Sequence, residues 1–245
     1  MEPYYSADGI TVYCADTLVA LAHLQAQGRR FRCIVMDPPY ASGSRTETGK
    51  ATSGAMVRGR RWADRPIDCD QMTTTGFVWL MRETALIVRD MLGDGDSIFA
   101  FIDWRQWPNL VGALESCNLR VNQMVVWDKL SFGMGNGFRS QHELIVHASK
   151  GTPRVCSHSF GNVLRFKRAD NEHHPSPKPP ELIEALLQAT TKPGDDVLDP
   201  FMGGGATIVA AHRLFRHATG IESVRKHCDT AVSRLSPGPA RPVTG

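Results

Sequence analysis

Near its carboxyl end the chain reads Val197-Leu198-Asp199-Pro200-Phe201-Met202-Gly203-Gly204-Gly205, and a helical pattern follows as far as Phe215. An apolar run, a glycine turn and a helix in this order are typical of a strand–turn–helix unit whose turn lets the backbone approach a ligand closely. The free amide groups at the start of the helix, near Ala206, would face an anion. This stretch therefore predicts a nucleotide-binding β-α-β unit.

One acidic residue supports this interpretation. The next predicted strand, 218–222, ends at Glu222, which lies 23 residues after Asp199. An acid about 20 residues beyond the glycine turn binds ribose in nucleotide-binding units. The glycines do not follow the G-x-G-x-x-G spacing, so the dinucleotide fingerprint is only partly met. A glycine-rich turn with a surface glutamate is the alternative interpretation.

Short apolar runs alternate with helical patterns along the rest of the chain, which favours a mainly parallel sheet covered on both faces. Strands are predicted at 31–36, 97–102, 120–127, 143–147, 197–199 and 218–222, and helices at 75–91, 106–117, 179–191, 205–215 and 224–235. We expect a single domain over residues 1–235 and a flexible tail at 236–245. Residues 41–74 and 150–178 fit no element, and loops of that length are usually functional or disordered.

A second candidate site follows the predicted strand 31–36, where the sequence reads Asp37-Pro38-Pro39-Tyr40. In open α/β sheets, ligands sit at the carboxyl ends of strands. The two prolines lack amide donors, so they leave free carbonyl acceptors beside the Asp37 carboxylate, and Tyr40 adds a flat aromatic face. A planar ring with an exocyclic amine suits this site, since Asp37 and the Pro38 carbonyl can each accept one N–H. A proline turn with a capping aspartate is the alternative interpretation.

Composition and charge narrow the classes of protein. The 245 residues are 42% apolar, which is typical of a globular protein, and the longest uninterrupted apolar runs have five residues, which excludes a membrane span. Neither a signal-peptide pattern nor a C-x-x-C pair occurs, so we expect a cytoplasmic protein with reduced thiols and no metal site. The net charge is only +3, but residues 41–65 and 150–178 each carry +4. They indicate a polyanion partner, and two solvated basic loops are the alternative.

Several motifs in order resemble the amino-methyltransferases of DNA. The segments that carry the resemblance are D-P-P-Y at 37–40, D-P-F-M-G-G-G-A at 199–206, G-I-E at 220–222, C-A-D at 14–16 followed by Leu18 and Leu21, W-D-K at 127–129, Q-H-E at 141–143 with Lys150, and H-P-S-P-K-P at 174–179. The catalytic motif precedes the cofactor motif, as in the beta group of that family. The family's usual F-x-G-S-G-T lacks both hydroxyls here, so we expect weaker cofactor binding.

The resemblance implies a Rossmann-like α/β methyltransferase fold with a mostly parallel seven-stranded sheet and helices on both faces. It implies S-adenosylmethionine as the cofactor and double-stranded DNA as the substrate, with methyl transfer to the N6 amine of adenine after base flipping. A homodimer and a partner restriction enzyme stay open. An aspartate at position 37 with Tyr40 favours adenine. The alternatives are a cytosine-N4 methyltransferase, an RNA methyltransferase and a catalytically inactive DNA-binding module.

Roles fall to three groups of residues. The catalytic group is Asp37, Pro38, Pro39 and Tyr40. The cofactor-binding group, in which Asp16 and Lys178 rest on the resemblance alone, is Asp16, Asp37, Lys178, Asp199, Pro200, Phe201, Gly203, Gly205 and Glu222. The DNA-binding group, drawn from the two basic loops, is Arg45, Lys50, Arg58, Arg60, Arg61, Arg165, Lys167 and Arg168. The glycine-rich segment 131–136 is either a mobile lid or an ordinary connecting loop.

Overall fold

A computed structural model describes residues 1–41, 72–133, 136–168 and 178–235 of the chain. The strands are β1 Tyr5–Ala7, β2 Ile10–Cys14, β3 Phe31–Met36, β4 Leu92–Ile102, β5 Arg120–Asp128, β6 His142–Ser149, β7 Val163–Arg165, β8 Asp196–Asp199 and β9 His217–Glu222. The helices are α1 Thr17–Ala26, α2 Thr74–Asp90, α3 Trp107–Glu115, α4 Pro180–Thr190, α5 Ala206–Arg213 and α6 Arg225–Ser233.

The strands form one sheet in the order β1-β2-β9-β8-β3-β4-β6-β5-β7. Five neighbouring strands, β2, β9, β8, β3 and β4, run parallel, and β6 is antiparallel to both β4 and β5. The carboxyl ends of the parallel strands therefore lie at one edge of the sheet. The start of β6 lies at this edge too, because Leu144 pairs with Ile102, and so does the end of β7, because Arg165 pairs with Asp128.

Helices cover both faces of the sheet, as the alternating sequence pattern predicts. On one face, α1, α2 and α3 bury apolar side chains such as Leu21, Phe77 and Leu110 against the sheet. On the other face, α4, α5 and α6 do the same with residues that include Leu186 and Ile208. Both faces of the central strands are thus removed from water, which explains why these strands read as continuous apolar runs rather than alternating ones.

Local sequence explains where several helices begin. Asp16 precedes α1, and its carboxylate accepts hydrogen bonds from the amides of Leu18 and Val19. Thr73 caps α2 in the same way through the amide of Gly76. Pro180 opens α4, where its missing donor costs nothing because the first amides of a helix have no partner within it.

The sheet differs from the expectation in two places. The described residues give nine strands rather than seven, because the three-residue strands β1 and β7 are added as the outermost strands on the two sides. The second basic stretch, 150–178, is therefore not free of regular structure, since it contains β7. Residues 42–71 of the first basic stretch and the tail 236–245 lie outside the described residues. No helix among those described is long and apolar enough to cross a membrane.

Candidate active site

The two predicted sites meet where the strand order of the sheet reverses. From β3 the chain continues to β4 on one side, whereas from β8 it continues to β9 on the other. Cys33 pairs with Val197 and Ile34 with Leu198, so the ends of β3 and β8 are neighbours. Asp37 and Asp199 therefore flank the crevice at which open α/β sheets bind their ligands.

Among the described residues, the Asp37 carboxylate has two close side-chain partners. The Tyr40 hydroxyl lies 2.9 Å from its Oδ1, and the Lys178 Nζ lies 2.6 Å from its Oδ2. Lys178 is only 7% exposed, whereas the Asp37 side chain is 29% exposed. Burial alone would lower the pKa of Lys178, but Asp37 and Glu143 raise it above its usual value. The Lys178 ammonium is thus held charged against the Asp37 carboxylate, and one side of this carboxylate is exposed to solvent.

Further ion pairs, centred on Glu143, contact Tyr40 and Lys178. Glu143, in β6, lies with Oε2 at 3.1 Å from the Tyr40 hydroxyl and 3.4 Å from the Lys178 Nζ, and with Oε1 at 2.5 Å from the Lys129 Nζ. Burial alone would raise the pKa of Glu143, but the two ammonium groups lower it to about 2. Glu143 is therefore ionised at every working pH and links Tyr40 to both lysines.

On the β8 side of the crevice lies a buried acid. The Asp199 side chain accepts a hydrogen bond from the amide of Phe201 at 3.0 Å. Burial raises the pKa of Asp199 to about 7, and the nearby charges of Asp37 and Glu222 add to this effect. Asp199 thus lies near two other acids, and its side chain keeps a proton to a higher pH than an ordinary aspartate does.

The glycine turn after β8 is closed by Glu222. Its Oε2 accepts the amide of Gly203 at 3.0 Å, and its Oε1 accepts the amide of Val224 at 2.8 Å. Ala15 directly follows the neighbouring strand β2, and its amide donates to the carbonyl of Glu222 at 2.9 Å, which brings the start of α1 beside Glu222. Asp16 is exposed there, and the contacts of its carboxylate are with the first amides of α1.

The remaining predicted site residues divide by position. Pro200 offers its carbonyl to the hydroxyl of Thr17 at 2.8 Å, and Pro38 is buried beside the partly exposed Pro39. Exposed basic residues lie at the end of β7 and just after it, at the same edge as Asp37; they are Arg165, Lys167 and Arg168. The other predicted DNA-binding residues, Arg45, Lys50, Arg58, Arg60 and Arg61, lie outside the described residues.

Two residues of the site were given no role by the sequence. Lys129 and Glu143 belong to motifs that carry the resemblance, W-D-K and Q-H-E, but nothing in their spacing indicates that they meet Tyr40. Lys178 was predicted to bind the cofactor, and its Nζ instead lies between two carboxylates, those of Asp37 and Glu143. Its contact with the cofactor stays a prediction.

Known proteins resemble the chain over nearly its full length. The profile of the N6/N4 methyltransferase family, described as DNA methylase, matches residues 31–233. The type II methyltransferase M2.DpnII of Streptococcus pneumoniae is 45% identical over 256 aligned positions, which cover 96% of this chain and 92% of that protein. The chain therefore belongs to the N6/N4 family of DNA methylases.

Solved structures share the architecture at lower identity. The M1.HpyAVI–SAM complex superposes with a TM-score of 0.68 at 22% identity and covers 92% of this chain and 99% of its own. The cytosine-N4-specific PvuII DNA methyltransferase superposes with a TM-score of 0.72 at 14% identity, covering 98% of this chain and 91% of its own. These likenesses confirm the Rossmann-like methyltransferase fold expected from the sequence.

Proposed function

We propose that the protein transfers a methyl group from S-adenosylmethionine to the N6 amine of adenine in DNA. The observation that carries the proposal is the position of Asp37, which faces Asp199 and the glycine turn across the switch point of the sheet. An acceptor for an aromatic amine and a turn suited to a nucleoside thus share one crevice. Membership of the DNA methylase family makes DNA the substrate.

The residues around the crevice fit S-adenosylmethionine, which supplies an activated methyl group on a sulfonium. The cofactor carries positive charge on its sulfur and its amine, and the carboxyl groups of Asp37, Asp199 and Glu222 gather at this edge. Oε1 of Glu222 accepts the amide of Val224 and also lies 3.5 Å from the Ser223 hydroxyl and from His227 Nδ1, whereas Oε2 accepts the amide of Gly203 and has a second lone pair for a ribose hydroxyl. Asp199, Glu222 and the turn 200–205 would hold the cofactor.

The catalytic turn would make the target amine nucleophilic. Its lone pair is delocalised into the aromatic ring, so the nitrogen attacks poorly while it stays planar. Asp37 and the carbonyl of Pro38 would accept its two N–H bonds and favour a tetrahedral nitrogen. Asp37 would also stabilise the positive charge that develops on nitrogen, which is an interaction confined to the transition state. Lys178, at 2.6 Å, holds the Asp37 side chain in place for this role.

Cytosine N4 is the second candidate for the target. The family profile spans both amines, and the PvuII structural neighbour is specific for cytosine N4. Adenine is favoured here because the motif begins with Asp37 and ends with Tyr40, whereas a serine at the first position more often accompanies cytosine in the family. Digestion of methylated DNA to nucleosides, followed by mass spectrometry, distinguishes N6-methyladenine from N4-methylcytosine.

Replacing the catalytic carboxylate tests the proposal. We expect Asp37→Asn to reduce incorporation of tritiated methyl groups into DNA by at least about 100-fold, as loss of a transition-state charge partner does. Binding of S-adenosylmethionine, measured by calorimetry, should change by only a few-fold. Asp196→Asn is the matched control, because Asp196 lies at the opposite end of β8 and is half-exposed. Normal methylation by Asp37→Asn would contradict the proposed role.

A further inference from the structure

The connection between β5 and β6 exposes large apolar side chains to solvent. We give the name aromatic hairpin to the described residues of this connection, 129–133 and 136–141. Phe138 is fully exposed at 110%, Phe132 is 57% exposed and Leu130 is 50% exposed. Three exposed apolar side chains within nine residues make this segment a candidate interaction surface.

The stem of the aromatic hairpin is fixed by hydrogen bonds. The amide of Lys129 donates to the carbonyl of Gln141 at 2.9 Å, and the amide of Gly133 donates to the carbonyl of Ser140 at 2.9 Å. Leu130 has a positive φ of 59°, which is costly for a leucine, and its amide donates to the Asp128 carboxylate at 2.9 Å. These hydrogen bonds fix the base of the aromatic hairpin relative to β5 and β6.

The aromatic hairpin begins directly beside the candidate active site. Its two ends are Lys129 and the start of β6, where Glu143 pairs with Lys129 at 2.5 Å and faces the Tyr40 hydroxyl at 3.1 Å. Phe138 precedes Glu143 by five residues, so their Cα atoms are at most roughly 17 Å apart along an extended chain. A molecule that places one group in the crevice at Asp37 would also meet the hairpin.

Basic side chains lie on and beside the aromatic hairpin. The Arg139 guanidinium lies 3.6 Å from the centre of the Phe132 ring. Arg165, at the end of β7 beside the stem, is 71% exposed, and Lys167 and Arg168 follow it on the surface. A surface with both exposed phenyl rings and exposed cations fits duplex DNA, whose bases stack and whose phosphates are anionic.

We infer that Phe138 is a wedge that enters the DNA base stack and occupies the space left by the target base when that base turns into the crevice. Phe132, held by Arg139, supports the wedge, while Lys167 and Arg168 neutralise the backbone phosphates. This inference rests on the proposed function, because it assigns the side chain that keeps the duplex open for methyl transfer.

The test compares two DNA duplexes that differ only opposite the target base. The target is first located by long-read sequencing of DNA methylated by the wild-type protein. In one duplex the target is paired normally, and in the other it faces an abasic site, so that no base pair has to be broken when the target turns out. We expect Phe138→Ala to slow methylation of the paired duplex at least tenfold and to methylate the abasic duplex within about threefold of wild type.

Two further variants serve as controls. Phe138→Trp keeps a flat wedge and should retain most activity on the paired duplex. Phe215→Ala removes another exposed phenylalanine, 79% exposed before β9 at the opposite edge of the sheet, and should leave both rates unchanged. Because Phe138 is fully exposed, its truncation should leave folding and cofactor affinity intact, which circular dichroism and calorimetry check.

The possible results separate the inference from the function on which it rests. Equal rates for Phe138→Ala and wild type on the paired duplex would overturn the wedge, and so would an equal loss on both duplexes. A wild-type protein that methylates neither duplex nor genomic DNA would instead contradict the proposed methyltransferase activity. Selective rescue of Phe138→Ala by the abasic site would support both.

Discussion

At the scale of single residues, the hydroxyl and the ring of Tyr40 have separate proposed roles. Its hydroxyl lies between the carboxylates of Asp37 and Glu143, at 2.9 Å and 3.1 Å. Burial raises the pKa of Tyr40 well above its usual value, and the two carboxylates raise it further. The hydroxyl therefore stays protonated and donates to a carboxylate, whereas the ring is the flat face proposed to stack on the target base.

Two substitutions at Tyr40 separate these parts. Tyr40→Phe removes only the hydroxyl, and a hydrogen bond to a charged group contributes about 1.5–3 kcal/mol, so we expect kcat/KM for DNA methylation to fall roughly 10- to 150-fold. Tyr40→Ala also removes the ring, and a lost stacking contact should weaken DNA binding by about 1–3 kcal/mol more. Single-turnover methylation and DNA titrations measure the two effects. If both variants behaved alike, the ring would have no stacking role.

The sequence predicted the positions of Asp37 and Glu222 in the fold better than the contacts of the residues around them. Asp37 and Glu222 could be found because each follows an apolar run, and strand ends of a parallel sheet share an edge. The pairing of Lys129 with Glu143 could not be found, because it depends on β5 and β6 being antiparallel neighbours. Long-range contacts of this kind leave no local pattern in the chain.

At the scale of elements, the start of α5 depends on a glycine. Gly205 has φ +81°, and a Cβ placed on it would lie 2.6 Å from the Cβ of Ala231 in α6. Gly205→Ala should lower the free energy of unfolding by about 2–4 kcal/mol, because left-handed backbone strain and a helix–helix clash both act. Gly28→Ala is the matched control, since Gly28 has φ +68° but nothing within 4 Å of the added Cβ. Urea unfolding measures both, and equal losses would show that α6 moves aside freely.

Local sequence patterns predict some of the helices and strands and miss others. The expected helix 75–91 differs from α2, Thr74–Asp90, by one residue at each end, because its apolar spacing and flanking residues are strong local signals. β7 was missed because three residues with one partner strand, β5, carry too little pattern, and Val163 and Arg165 are exposed. No element was assigned before residue 31, although β2 and α1 lie there. Pairing of β2 with β9 stabilises that strand, and five residues give no such signal alone.

At the scale of the whole molecule, a partly buried histidine and a buried aspartate on different parts of the sheet have pKa values shifted in opposite senses. Burial lowers the pKa of His147 from 6.5 to about 4, where its ring stacks on Phe99 at 4.8 Å. Burial raises the pKa of Asp199 from 3.8 to about 7. The unfolded chain binds the proton of His147 more tightly, so this residue makes the fold less stable as pH falls from 6.5 to 4. The folded chain binds the proton of Asp199 more tightly, so this residue makes the fold less stable as pH rises from 4 to 7.

Single substitutions should expose each of these opposing slopes. In Asp199→Asn only His147 contributes to the pH dependence in this range. The free energy of unfolding should therefore fall by on the order of 3 kcal/mol as pH falls from 6.5 to 4. His147→Gln can keep a hydrogen bond to the Ser97 hydroxyl. In this variant the free energy of unfolding should fall by on the order of 4 kcal/mol as pH rises from 4 to 7. Wild type should change less than either variant, because its two slopes oppose each other. Urea unfolding at several pH values measures all three curves, and curves parallel to wild type would show that these groups do not set the pH dependence. Glu143 does not interfere, because its stabilisation is lost only as pH falls from 4.5 towards its pKa of about 2.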